Sequence, residues 1–221
     1  MSFINFIIAL VQDPRAAIAS WIAMGPAAAY GFIFLIIFIE TGVVFFPFLP
    51  GDSLLFAAGF FAATGDFNLL TLLFVAWGAA ITGDQCNFFI GHFLGQKIIR
   101  SGKVKAMTPE RIEKTQHFLD KWGNIAVFLG RFFPFIRTFV PFFSGMGGMK
   151  WHNFFVFNIL GGVAWSTLFV LLGYFFGGIP VVQQHFELVL IGIILVSVIP
   201  ALVGVCKAKF CKKPADTGDI V

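Results

Sequence analysis

Charge is what this sequence has least of. Lys and Arg number 15 and Asp and Glu 11, together 12% of 221 residues, whereas 58% are hydrophobic and the mean hydropathy is +0.91. An ordinary soluble domain carries about 25% charged residues, so this chain cannot clothe a water-facing surface and a soluble domain is excluded. Cysteine is scarce and odd in number: Cys86, Cys206 and Cys211 form no CxxC pair, which excludes a disulfide framework and a zinc site. No HExxH and no P-loop occur, and neither a metal nor a cofactor is expected. The net charge of +4 is modest and its basic residues flank apolar segments, a pattern that orients a membrane protein and binds no nucleic acid. No Lys or Arg precedes the N-terminal apolar run and no small-residue cleavage site follows it, so a signal peptide is not expected.

What is present is a succession of apolar blocks of unequal length. A crossing helix needs about 20 apolar residues. Residues 1–26 contain only shorter runs and read as interfacial. Residues 27–63 are apolar but interrupted by Glu40 and by PFLPGDS at Pro47 to Ser53. Two crossings would take about 40 residues, so a re-entrant hairpin broken at Pro47, Pro50 and Gly51 is the economical solution; such backbone survives at membrane depth where protein covers it. Residues 69–95 suffice for a crossing, with Asp84 and Asn87 on one helix face and Gly78, Gly83 and Gly91 offering flat surfaces to other helices. Residues 96–121 are polar and basic, an amphipathic cytoplasmic connector in which Thr108, Pro109 and Glu110 favour a helix start. Residues 122–149, between Lys121 and Lys150, form a second short block, broken at Pro134 and Pro141. Residues 151–178 and 186–206 cross again, and the polar tail at 208–221 is expected to be disordered. Both basic clusters then fall on the cytoplasmic side, giving one multi-pass membrane domain over 1–207 with a cytoplasmic C-terminus. The 32 phenylalanines serve as lipid-facing and interhelical filling, and His92, His117, His152 and His185 sit near predicted membrane edges.

The segment RFFPFIRTFVP, Arg131 to Pro141, is the exception to that filling. An arginine at the centre of a bilayer costs roughly 2.5 to 3.5 kcal/mol on insertion scales, which makes it a functional candidate. Its pattern has a counterpart: Glu40 lies ten residues before Pro50 as Arg131 lies ten before Pro141, and GHFLG at Gly91 is echoed by GYFFG at Gly173. Each half is a hairpin followed by one crossing, an odd number of passages, so the halves must be inverted, as in secondary transporters. The expected fold is therefore an all-α polytopic membrane protein of two inverted repeats, each a re-entrant helical hairpin plus a transmembrane helix, followed by a C-terminal transmembrane helix. Glu40 and Asp52 from one hairpin would meet Arg131 and Arg137 from the other, with Arg131 facing Glu40. Guanidinium suits phosphate through its planar, permanently charged fork, which makes Arg131 and Arg137 phosphate-binding candidates. Glu40, Asp52 and Asp84 are candidates for proton coupling or gating, protonation freeing the arginines for an anion. Two blander roles stand beside these: the charges could simply lock the hairpins together, and Asp84 could make a helix–helix hydrogen bond. A histidine-dependent lipid phosphatase is not supported, because SGM stands at Ser144 to Met146 and no histidine lies near either arginine.

The segments ETGVVFFPFLPGDSLLFAAG and GRFFPFIRTFVPFFSGMGGM resemble the DedA family of bacterial inner-membrane proteins, and the similarity runs from about Tyr30 to Lys207. The resemblance implies no enzyme but a transporter in the bacterial inner membrane, moving a polyprenyl phosphate carrier, undecaprenyl phosphate, between leaflets for cell-envelope synthesis with linkage to the proton-motive force. It places the family's acidic residues at Glu40 and Asp52 and its arginines at Arg131 and Arg137. A proton-coupled exporter of small solutes or ions would use the same carboxylates, an assembly protein would use the cluster as a lock, and a homo-oligomer stays open.

Overall fold

The computed structural model describes residues 14–43, 51–95, 123–177 and 179. Every element among them is helical: α1 (Pro14–Ala23), α2 (Pro26–Gly42), α3 (Gly51–Ala63), α4 (Leu69–Ile90) with a π turn at Gly91–Gly95, α5 (123–130), α6 (Pro134–Met146) and α7 (Trp151–Gly177). Pro47, Pro50, the 96–121 connector, the 186–206 crossing, the 208–221 tail, His117 and His185 lie outside the described residues.

The helices sort into two lengths. The apolar spans Leu69–Leu94 and Trp151–Gly177 hold 26 and 27 residues, about 40 Å each at 1.5 Å per residue, more than the roughly 30 Å of a hydrocarbon core. Helices α2, α3 and α6 hold 17, 13 and 13 residues, about 26, 20 and 20 Å, and fall short of it.

Their ends are set locally. Pro26 opens α2 directly after Gly25, whose φ of 113° disfavours any side chain. The Asn68 side chain accepts the Thr71 N–H at 3.0 Å and caps α4, and the Asn68 N–H is donated to the Tyr30 hydroxyl at 2.9 Å, which ties this turn to α2. Pro134 starts α6, where its missing N–H costs no hydrogen bond. Pro141 behaves otherwise than expected: α6 continues through it to Met146. Its ring withdraws one helical donor, from the Arg137 carbonyl, without ending the helix. The break in the second short block is therefore at residues 131–133, ahead of Pro134.

Helix α3 is the centre of the bundle. All its residues from Gly51 to Ala62 are buried except Asp52, as expected of a helix apolar on every side, and it packs on α1, α2, α4 and α7. Helix α1 adds Ile18 and Trp21 to the same buried cluster. Helix α6 is turned inside out relative to a soluble helix. It buries Arg137, Thr138, Pro141, Ser144 and Gly145 at helical spacing and leaves Ile136, Phe139 and Phe143 outward. That is the polarity a helix needs when its outer solvent is hydrocarbon.

One helix contact is built twice. The sequence F-x-x-G occurs at Phe56–Gly59 in α3 and at Phe142–Gly145 in α6. Helix α3 packs on α7, where a Cβ at Gly59 would strike the Val170 carbonyl and stand 3.0 Å from the Tyr174 nitrogen; one at Gly173 would strike the Phe56 carbonyl. Helix α6 packs on the end of α4, where a Cβ at Gly145 would strike the Phe88 carbonyl and stand 2.9 Å from the His92 nitrogen; one at Gly91 would strike the Phe142 carbonyl. Thus the second helix of each short block crosses the long helix of the other half through the same two glycines. Small residues allow this approach, and in lipid such close packing replaces the missing hydrophobic drive.

Candidate functional site

Five ionisable side chains converge where α2, α3, α4, α6 and the turn before α6 meet. Glu40, Asp84, Arg131 and Arg137 are buried, and the Asp52 side chain is 14% exposed. Arg137 joins the two short blocks: its Nη2 donates to Glu40 Oε1 and its Nη1 to Asp52 Oδ1, the latter at 2.7 Å. Arg131 does not take Glu40 as its partner. Its Nη1 donates to Asp84 Oδ2 and, at 2.6 Å, to Asn158 Oδ1, and its Nη2 donates to the Ala80 carbonyl at 3.0 Å. The reason is positional. Arg131 lies in the turn after α5, flat against α7, where Cβ atoms at Gly161 and Gly162 would come within 3.3 Å of its Cδ and 3.4 Å of its Cζ. Arg137 lies within α6, on the face turned to the first short block.

The backbone completes the site. Gly51, the first residue of α3, abuts the Glu40 carboxylate so closely that any side chain there would overlap it. Asp52 occupies the first turn of α3, the positive end of the helix dipole, and accepts the Trp165 indole N–H at 3.0 Å. Asn87 donates Nδ2 to the carbonyls of Thr41 at 3.1 Å and Thr138 at 2.8 Å. Thr41 stands in the last turn of α2, where carbonyls have no helical donor, so one amide ties α2 and α6 to α4. Among the proposed breaks, Gly51 thus lies in the site, Pro134 heads the helix that carries Arg137, and Pro141 is buried within it.

The cluster holds three carboxylates against two guanidiniums. With all five ionised it carries one net negative charge, and a single proton would neutralise it. Several buried polar atoms have no hydrogen-bond partner among the described residues, namely Glu40 Oε2, Asn87 Oδ1, Arg131 Nε and Arg137 Nε. Buried polar groups are ordinarily satisfied, so among the described residues Glu40 Oε2 and Asn87 Oδ1 stand as open acceptors and the two Nε–H groups as open donors. His92 stacks on Phe88 at 6.5 Å between ring centroids, and His152 is exposed.

Sequence reasoning missed Trp165, Asn158, Gly161 and Gly162. The available signal was a stripe: Phe154, Asn158, Gly161, Gly162, Trp165, Ser166, Val170, Gly173 and Gly177 are buried along α7 at helical spacing. An Asn and a Ser on a glycine-lined stripe of an otherwise apolar helix mark a buried polar contact.

The chain is similar to several bacterial membrane proteins. It is 39% identical over 211 residues to Protein DedA of Escherichia coli, covering 95% of this chain and 96% of that one. It is 34% identical over 211 residues to an uncharacterized membrane protein of Mycobacterium tuberculosis, covering 95% and 92%. It is 29% identical over 214 residues to the inner membrane protein YghB of Escherichia coli, covering 94% and 97%. No solved structure matches it. A VTT domain is matched over residues 49–175, a stretch that holds Asp52, Asp84, Arg131, Arg137 and Trp165, and with these likenesses the chain belongs to the DedA family of membrane proteins.

Proposed function

We propose that this protein is a multi-pass transporter of the bacterial inner membrane that moves a polyprenyl phosphate carrier, undecaprenyl phosphate, between leaflets, linked to the proton-motive force. The observation that carries the reading is the ion cluster: two buried guanidiniums, Arg137 paired through both Nη atoms with Glu40 and Asp52 and Arg131 through Nη1 with Asp84, whose Nε–H groups have no acceptor among the described residues. A phosphate monoester would take the arginines in place of Glu40, Asp52 and Asp84, and protons taken up by those carboxylates would keep the interior close to neutral. The lipid tail would remain in the bilayer while the head group crosses.

The architecture agrees with two inverted repeats, each a re-entrant hairpin plus a crossing helix. Helices α2, α3 and α6 are shorter than the hydrocarbon core, and the glycine contact between α3 and α7 recurs between α6 and α4. Inverted repeats commonly place their substrate site at the repeat interface, near the midplane, which is where the cluster would lie. An inner-membrane location agrees with the name of the YghB relative.

The test is reconstitution. Vesicles holding the purified protein should move undecaprenyl phosphate from one leaflet to the other, faster with a proton gradient than without. Arg131→Ala and Arg137→Ala, shown to be folded by their thermal melts, should lose that movement. Full activity in both variants would remove the phosphate role. Movement of small ions with no movement of the lipid would favour the exporter.

A further inference from the structure

Both arginines share one wall of their site, and that wall is a single side chain. Trp165, 1% exposed in the middle of α7, lies with its ring centroid 5.0 Å from Arg137 Cζ and 5.9 Å from Arg131 Cζ. Its indole N–H is donated to Asp52 Oδ1 at 3.0 Å, the same oxygen that accepts Arg137 Nη1 at 2.7 Å. One turn before it, Gly162 leaves its backbone open to the Arg131 guanidinium. Trp165 therefore touches both cations and one of the counterions they must exchange.

The chemistry of such an exchange is demanding. A guanidinium that releases a carboxylate inside an apolar bundle loses its main attraction and is free to swing, while the released carboxylate is left with an unfilled acceptor in a poor solvent. An aromatic face answers the first problem: it attracts the cation through its quadrupole and uses none of the five N–H donors. The indole N–H answers the second, since it holds Asp52 whether or not Arg137 does. The Nε–H on each arginine, without an acceptor among the described residues, leaves a donor for an incoming oxygen before any carboxylate has left.

We infer that Trp165 is the positioning residue of the anion site, a rest on which Arg131 and Arg137 keep their places while a phosphate monoester replaces Glu40, Asp52 and Asp84. The inference rests on the phosphate-carrier reading above. It separates two parts of one side chain. The ring sets how well the arginines present themselves to the head group, and the N–H sets how readily Asp52 lets go.

Full-length protein in vesicles of phosphatidylethanolamine and phosphatidylglycerol, with undecaprenyl phosphate at graded mole fractions, provides the test through half-saturation and maximal rate. Trp165→Phe keeps a ring without the N–H: its half-saturating fraction should stay within about threefold of the wild type while its maximal rate falls about tenfold. Trp165→Leu keeps bulk without a ring: its half-saturating fraction should rise about tenfold or more. A residue that only filled the core would instead lower the melting temperature and the amount of folded protein without splitting the two parameters. Wild-type half-saturation in folded Trp165→Leu, or an unchanged maximal rate in Trp165→Phe, would overturn the inference and leave the carrier reading intact. Should Trp165→Leu not fold, Trp165→Phe alone decides. A wild-type protein that moves no undecaprenyl phosphate removes the carrier reading and this inference with it.

Discussion

Arg137 and Glu40 are joined across the two short blocks, Nη2 to Oε1, with both side chains buried. Arg131, six residues earlier, is committed to Asp84 on the long helix α4. The two arginines of RFFPFIRTFVP therefore do different jobs. Arg137 connects the first short block to the second, and Arg131 connects the second to the long helix α4.

Energetic coupling should follow that division. Residues in one network couple by about 0.5 to 3 kcal/mol in double-mutant cycles. Unfolding of detergent-solubilised variants should show such coupling for Arg131→Ala with Asp84→Asn and for Arg137→Ala with Glu40→Gln. The cross pair, Arg131→Ala with Glu40→Gln, should couple less than either. Each single change should cost about 3 to 5 kcal/mol, because it strands a buried charge. A cross pair that couples more strongly than the contacting pairs would contradict the observed pairing.

The repeated glycine contact predicts where bulk is forbidden. Gly59→Val and Gly145→Val would each drive a side chain into a backbone carbonyl of a long helix, of Val170 and Phe88 respectively. Overpacking costs about 1 to 3 kcal/mol where neighbours can yield; here the neighbour is backbone, so losses at or above that range are expected, with similar values in the two halves. Gly31 provides the control. A Cβ there meets nothing within 4 Å, and Gly31→Ala should stabilise α2 by up to about 1 kcal/mol through helix propensity. Thermal melts in one detergent compare all three.

The sequence already carried the lengths. The all-helical class, the long spans at 69–95 and 151–178 and the four charges in the broken blocks follow from run length and from the cost of charge in hydrocarbon. The pairing did not follow. Arg131 and Arg137 look equivalent in RFFPFIRTFVP, and only the packing of Phe128 and Arg131 against Gly161 and Gly162 sends Arg131 to Asp84. Trp165 was hidden for another reason. One tryptophan in a helix rich in phenylalanine and branched residues looks like lipid-facing filling, and its role appears only when Asp52, far away in sequence, is brought under its N–H. The echo of GHFLG and GYFFG was legible, whereas its partner F-x-x-G was not, because glycine in an apolar run has many uses and only contact shows which carbonyl it admits.

Asn87 offers a prediction independent of charge. Its amide serves two carbonyls on two helices, at 3.1 and 2.8 Å. Asn87→Leu removes that donor from both; the Thr138 carbonyl stays within α6, whereas that of Thr41, in the last turn of α2, loses its amide partner, and a stranded buried acceptor costs about 1 to 3 kcal/mol. A loss of about 1 to 3 kcal/mol is expected. Hydrogen exchange should show faster opening at the C-terminal end of α2 and in α6, while the exposed face of α4 stays protected. Wild-type stability in Asn87→Leu would mean that neither carbonyl depends on the amide.

The demand for arginine at position 137 can be tested without removing its charge. Arg137 reaches Glu40 with one Nη and Asp52 with the other, on two different helices. Lysine in its place carries the same charge as a compact ammonium on a flexible stem and lacks the rigid fork. It can serve one carboxylate well and the other poorly, so Arg137→Lys should lose about one charged hydrogen bond, about 1.5 to 3 kcal/mol. Arg137→Ala should lose more, because both carboxylates are then left without their cation. The second outcome concerns transport. If phosphate is bound bidentately, Arg137→Lys should raise the half-saturating fraction of undecaprenyl phosphate by about tenfold even where stability is restored by a stabilising detergent or lipid. If the arginine were only a lock, restoring stability would restore transport in full. Comparing melting temperature with transport for this one variant therefore separates a residue that only holds α2, α3 and α6 together from one that also holds the head group.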